Sequence, residues 1–185
     1  MMKKIIYEFI FYKILRWKLL GKADKNIKKS IFIVIPHTSW QDFYIAILTR
    51  GIMDMDINFV AKKELFKFPF GFYFRWMGGR PLDRSGNLNK VDSISRVFDT
   101  QDVFRLGIAP EGTRAKVEQL KTGFYYIALK ASIPIIPVAF DYGKRQVRIG
   151  EPFYPSGNIQ ADLMILGKHF KNVKGRISND GYQFD

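Results

Sequence analysis

"IFIVIPHTSWQDF", residues 31–43, runs from five apolar residues through a proline into a polar segment that holds one of the chain's two histidines. The run Ile31 to Ile35 reads as a buried strand, because a short, continuous apolar stretch rich in β-branched residues suits a sheet interior. Ser39 to Leu48 reads as the helix that follows, with Ser39 at its cap. A strand that hands over directly to a helix is the repeating unit of a layered α/β fold.

The same alternation continues outward from this stretch. "INFVA" (57–61) is a second strand, and "KKELFKFPFGFYFRWMGG" starts helically, is broken at Pro69 and ends in two glycines before "RPLDR". Leu88, Val91, Ile94 and Phe98 are spaced three, three and four apart, which places them on one helical face. "VFRLGIAP" (103–110) is another strand. Thr122 caps a helix whose inner face is Phe124, Ile127, Ala128 and Ala131. "IPIIPVAF" and "QVRIGEPF" follow as strands, and Leu163, Leu166 and Phe170 mark a last helix. The expected fold is therefore α/β: a single layered domain with a mixed, partly parallel sheet flanked by helices, plus an N-terminal amphipathic helix. The domain spans 30–173, the helix 1–20, and 174–185 is a polar C-terminal tail expected to fray.

Composition narrows the chemistry. With no cysteine among 185 residues, disulfides, thiolate metal sites and cysteine nucleophiles are excluded together. A net charge of +13 points to an anionic partner: nucleic acid, acidic lipid or a phosphorylated ligand. Aromatic residues make up 16% of the chain, and many adjoin Lys or Arg in "FYKILRWKLL" and "FKFPFGFYFRWMGG". That pairing suits a membrane interface, where rings lie at headgroup depth and cations meet anionic lipid. No stretch is long and apolar enough to span a bilayer, and the N-terminus lacks a small-residue cleavage site. Ile5, Ile6, Phe9 and Ile10 oppose Lys13 and Arg16 on a helix, which fits an in-plane anchor or a terminal helix packed on the core.

With Ser39 as cap, Asp42 is the third helical residue and His37 lies in the turn before it. The imidazole can then fold back onto the carboxylate, an arrangement that lets histidine take a proton from a hydroxyl while Asp42 holds its tautomer. Ser-x-x-Asp also resembles a capping box, which needs no catalysis. A second constellation, "APEGTR" (109–114), follows a strand and offers a glycine for close approach, a hydroxyl and a guanidinium fork. An ion-paired Glu111–Arg114 turn is the plainer reading. In "PLDR", Arg84 is either a ligand group or part of a surface turn with Asp83.

His37-x4-Asp42, "AKKEL" with "FPFG" and "PLDR", "PEGTR", and "IPIIPV" occur in the order and spacing of four sequence blocks, and over residues 30 to 150 the chain resembles the 1-acylglycerol-3-phosphate acyltransferase family. The resemblance implies an acyltransferase domain that moves a fatty acyl group from acyl-CoA or acyl-carrier protein to a lysophospholipid hydroxyl. It makes His37 the general base and Asp42 its orienting partner. Arg84, Glu111, Gly112, Thr113 and Arg114 are assigned to the acceptor phosphate, Lys62 matches a basic position of the second block, and Ile133, Pro134 and Pro137 shape the acyl pocket. The implied reaction needs no cofactor and no metal. The N-terminal helix and "FKFPFGFYFRWM", rather than the resemblance, set the expected location at the cytoplasmic face of the membrane, peripheral or monotopic, with an anionic membrane surface as partner and no nucleic acid. Pro36 stands where the family commonly has Asn, and "GGRPLDR" replaces a more apolar approach; both bear on the acceptor and leave the reacting groups intact. The competing readings are a basic nucleic-acid-binding or lipid-binding domain without turnover. A metal hydrolase is disfavoured because His37 and His169 form no ligand-spaced pair.

Overall fold

The apolar run Ile31 to Ile35 forms the body of β2 (Lys29–Ile35), and its side chains explain the layering. Ile31, Ile33 and Ile35 enter one apolar core while Phe32 and Val34 enter another on the opposite face. A strand apolar on both sides must be covered on both sides, so helices pack above and below it. The computed structural model describes residues 2–69, 71–82, 90–177, 180–182 and 184, with the backbone alone at 2, 60–63, 65, 80–82 and 90.

The remaining strands are β1 (Lys18–Leu20), β3 (Asn58–Lys62), β4 (Gly79–Leu82), β5 (Phe104–Ile108), β6 (Ile135–Asp141) and β7 (Gln146–Ile149). They form a seven-stranded sheet in the order β1-β7-β6-β2-β5-β3-β4. Only the β6–β7 hairpin is antiparallel; every other neighbouring pair is parallel. The expected mixed, partly parallel α/β sheet is therefore found, with β1 and β4 added at its edges. The helices are α1 (Met2–Glu8), α2 (Gln41–Met53), α3 (Gly71–Trp76), α4 (Lys90–Thr100), α5 (Gly123–Lys130) and α6 (Ile159–Phe170). Phe98, Phe124, Ile127, Leu166 and Phe170 bring α4, α5 and α6 to one face of the sheet. Ile45, Leu48 and Ile52 bring α2 to the other.

The N-terminal segment is shorter as a helix than its sequence pattern suggests. After α1 the chain continues as a π-helical turn over Phe9–Ile14, and Lys18–Leu20 then joins the sheet edge as β1. Tyr7, Ile10 and the wholly buried Phe11 pack onto the α2 side of the core, whereas Ile5, Ile6 and Phe9 stay exposed. Thus one side of this helix is core and the other is free. The polar C-terminal segment is likewise held rather than frayed: Tyr142 N–H donates to the Lys174 carbonyl, Val117 N–H to the Gly181 carbonyl, and Phe184 stacks on Phe170. Polar side chains did not prevent docking, because backbone groups made the attachments.

Gly51 of α2 admits the Tyr7 ring so closely that a Cβ there would collide with it. Gly51→Leu should therefore destabilise the protein by about 1–3 kcal/mol through overpacking. Removing the ring with Tyr7→Ala in the same background should recover part of that loss. Urea titrations of the four-member cycle check this; additive effects would show that the helix does not rest on this glycine.

Candidate active site

Because β2, β5 and β6 run parallel and side by side, their C-terminal ends open at one edge of the sheet. That edge is where open α/β sheets place ligands. The turn after β2 carries His37, the turn after β5 carries Glu111, and the residue after β6 is Tyr142.

Asp42 is 2% exposed, and each of its oxygens is engaged. Oδ2 accepts from the backbone N–H groups of Thr38 and Ser39, both at 2.8 Å, and lies 3.1 Å from His37 Nδ1. Oδ1 accepts from the Tyr142 hydroxyl at 2.6 Å. Ser39 Oγ accepts from Gln41 N–H at 3.2 Å, so α2 begins with Trp40 at its cap and a side-chain bond from the residue before. The helix-capping and histidine-orienting readings of Asp42 thus describe one carboxylate, with capping and imidazole contact sharing Oδ2. An ionised carboxylate only accepts, so the proton of neutral His37 sits on Nδ1 and Nε2 is left as the basic nitrogen. Tyr142 has its pKa raised, first by burial and then by its bond to Asp42, so it remains a phenol and a donor.

Glu111 is buried, at 1% exposed, beneath the turn rather than in the cavity. Its Oε1 accepts from His37 N–H at 3.0 Å and from Tyr182 N–H at 3.4 Å, and Oε2 has no partner among the described residues. No ion pair with Arg114 is present among the described residues, so the plain Glu111–Arg114 turn is not what forms. Desolvation pushes the Glu111 carboxyl above the usual carboxylate range, against the pull of those two backbone donors. Glu111 is a strut joining the His37 turn to the C-terminal segment. Thr38 Oγ1 adds a bond from Ile177 N–H at 3.3 Å. Gly181, at φ +77°, lets the backbone pass close to Glu111 and Thr38.

Between α2 and the sheet lies a cavity of about 470 Å³. Its walls include Phe32, Val34, Phe43, Ile47, Val138 and Phe140, and His37, Asp42 and Arg114 also line it. Size and lining are those of a site for an apolar ligand with a few polar anchors. Arg50 lines it as well, its Nη1 donating to the carbonyls of Ile57 at 2.8 Å and Met77 at 2.7 Å, and burial lowers its pKa. Gly112 (φ +68°) and Thr113, whose hydroxyl accepts from Ala115 N–H, shape the turn that leads to the exposed Arg114. Ile133 belongs to the core on the opposite face, and neither Pro134 nor Pro137 lines the cavity, so Val138 and Phe140 supply the wall that the sequence assigned to those three. Arg84 lies outside the described residues, and Lys62 is seen only as backbone in β3. His169 is structural: its ring bonds the Arg148 carbonyl at 3.1 Å, and burial lowers its pKa. Among the described residues no three His, Asp or Glu side chains converge to hold a metal ion.

Residues 18–141 match the family model described as Acyltransferase. The chain belongs to the acyltransferase family. Its curated relatives include the 1-acyl-sn-glycerol-3-phosphate acyltransferase of Bacillus subtilis, 28% identical over 80% of this chain and 77% of that protein. Those of Cocos nucifera (36% identical, 72% and 46%) and Salmonella typhimurium (30%, 68% and 52%) bear the same name. This acyltransferase spans about half the length of the latter two. The family is the one its four sequence blocks resemble.

Tyr142 and the C-terminal segment escaped the sequence reading of this acyltransferase. Tyr142 had one usable signal: it is the first residue past an apolar strand parallel to β2. Glu111→Gln should keep the acceptor for His37 N–H while removing a buried charge. A raised folded-state pKa gives stability that is complete below the unfolded value and lost as pH climbs through the folded one, so the Gln variant's advantage should grow from acid toward neutral pH. Urea unfolding across that range measures it; a constant difference would mean that Glu111 is solvated.

Proposed function

We propose that the protein is an O-acyltransferase that moves a fatty acyl group from acyl-CoA or acyl-carrier protein to a hydroxyl of a lysophospholipid such as 1-acylglycerol-3-phosphate. The observation that carries this reading is the His37–Asp42 pair set on the wall of an apolar cavity. The names of the relatives support the acceptor class. The cavity suits a fatty chain, and Arg114, with Arg84, would meet the acceptor's phosphate.

In this mechanism neutral His37 takes the acceptor's hydroxyl proton on Nε2 as the oxygen attacks the thioester carbonyl. Asp42 stabilises the imidazolium that forms, and Tyr142 with two backbone donors holds the carboxylate in place. The tetrahedral intermediate collapses, the C–S bond breaks, and the imidazolium proton passes to the thiolate. The products are an ester and a free thiol, and no acyl-enzyme forms. A thioester is already activated, so holding two substrates in register supplies much of the remaining acceleration.

The protein would work as a monotopic enzyme on the cytoplasmic face of the membrane. Among the described residues no helix is long and apolar enough to cross a membrane. Phe68, Phe72 and Trp76 are 98%, 76% and 67% exposed, and Lys3 Nζ lies 5.8 Å above the Trp76 ring. That contact joins the free side of α1 to the α3 aromatics as one interfacial surface, where rings and cations favour anionic lipid.

His37→Ala should lower turnover by roughly 10²–10⁴-fold in a folded protein, the usual share of a general base. Asp42→Asn should lose activity well beyond its loss of stability; proportionate losses in melting curves and initial rates would reduce Asp42 to a cap. Arg114→Ala should raise the acceptor's KM far more than the donor's, and Lys should rescue it only in part. Mass spectrometry of products from mixed acyl donors and a lysolipid panel tests the reaction itself. No ester product from any pair would sink it.

A further inference from the structure

A second cavity, about 500 Å³, lies on the other side of Trp40 and Tyr44, which it shares with the first. It is assembled from four places: the end of the N-terminal helix (Ile14, Leu15), the start of α2, the β6–β7 turn with Arg145, and the C-terminal segment with Arg176. Among the described residues the two arginines are its only charged walls. Both side chains are exposed; Arg145 uses its carbonyl to accept from Lys18 N–H, and neither guanidinium has a hydrogen-bond or ion-pair partner among the described residues. Among the described residues no carboxylate lines the cavity to neutralise them, so the pair is left to an anion from outside.

The rest of the wall says what kind of anion. Ile14, Leu15, Trp40 and Tyr44 are 60%, 36%, 58% and 49% exposed, a high share for large apolar groups beside two cations. A free inorganic anion would use the guanidinium forks and leave these side chains in water, and a nucleotide could stack its base on Trp40 or Tyr44 but would leave the aliphatic Ile14 and Leu15 uncovered. A lipid phosphate uses both, because its charge and its apolar body are adjacent. Ile5 and Phe9, earlier in the same N-terminal segment as Ile14 and Leu15, are exposed as well.

We propose that this cavity seats the phosphate headgroup of an anionic bilayer phospholipid, with Arg145 and Arg176 holding the phosphate and Trp40 and Tyr44 lying at the level of its glycerol. The inference rests on the membrane placement given above and adds to it a defined lipid site, distinct from the catalytic cavity. Tyr142 is a wall of the site and also the donor to Asp42. Lipid occupancy would thus pack against the residue that braces the catalytic carboxylate.

The test uses the full chain with vesicles of phosphatidylcholine, with and without phosphatidylglycerol. A cation near an anionic surface contributes about 1 kcal/mol, or roughly fivefold, so Arg145→Ala with Arg176→Ala should weaken binding to the anionic vesicles roughly thirtyfold. Binding to neutral vesicles should not change. Lys168→Ala with Lys171→Ala removes the same charge at the end of α6, on the opposite face of the sheet, and should cost far less. Trp17 and Trp40 line the cavity, so a short-chain phosphatidylglycerol below its micellar concentration should shift tryptophan fluorescence in the unaltered protein and not in the arginine variant. That titration needs neither turnover nor a bilayer, so failure of the acyl-transfer reading would leave it intact. Equal weakening by the arginine and lysine variants, or a fluorescence shift that survives loss of both arginines, overturns the site. A raised KM for detergent-dispersed lysophosphatidate, with or without weaker vesicle binding, also overturns it and assigns the arginines to the acceptor.

Discussion

The burial of one carboxylate governs this structure. An ionised Asp42 in a dry setting would be strongly unfavourable without donors, since unpaired buried charge is among the most expensive features a fold can carry. Four donors meet it: two backbone N–H groups from the turn, the His37 ring and the Tyr142 hydroxyl. The turn donors fix the entry of α2. The Tyr142 donor requires β6 to lie beside β2 in the observed register, with Ile35 opposite Ala139. Strand order and the geometry of the His37–Asp42 pair are therefore satisfied by the same contact.

The two faces of the sheet are used differently. Against one, α4, α5 and α6 bury a continuous apolar core, as close-packed interiors require. Against the other, α2 stands over a hollow, its end held by Arg50 reaching across to the carbonyls of Ile57 and Met77. There a half-buried guanidinium bound to backbone carbonyls adds to the apolar contacts of Ile45, Leu48 and Ile52 in holding the helix. The hollowed face is also the one that carries α1.

Much of this was legible from the chain. The apolar runs of β2, β5 and β6 and the three-four spacing of α4 named the fold class, since each is a local pattern with one structural solution. His37 and Asp42 were legible because their contact spans a single turn. What the sequence hid was non-local. Lys18–Leu20 has a helix's flanks and becomes a strand only because β7 offers an edge. Glu111 read as a surface ion pair or a phosphate ligand because nothing in "PEGTR" shows that a C-terminal segment will cover it. Tyr142 carried no motif at all, and the polar stretch after 174 seemed free because backbone attachments leave no trace in side-chain polarity.

The separations in sequence between these partners set an order of events. The His37 turn meets Glu111 across 74 residues, Asp42 meets Tyr142 across 100, and Thr38 meets Ile177 across 139. Such contacts are the last to be rewarded as a chain folds, because the intervening loop must close first. During synthesis the histidine and its carboxylate leave the ribosome well before their braces do. A nascent chain that stops short of residue 142 holds the reacting pair without the phenol, and one that stops short of 177 lacks the segment that closes over the turn. The His37–Asp42 pair is thus braced only after the residues from Tyr142 to Tyr182 have been made, however early its own motif appears.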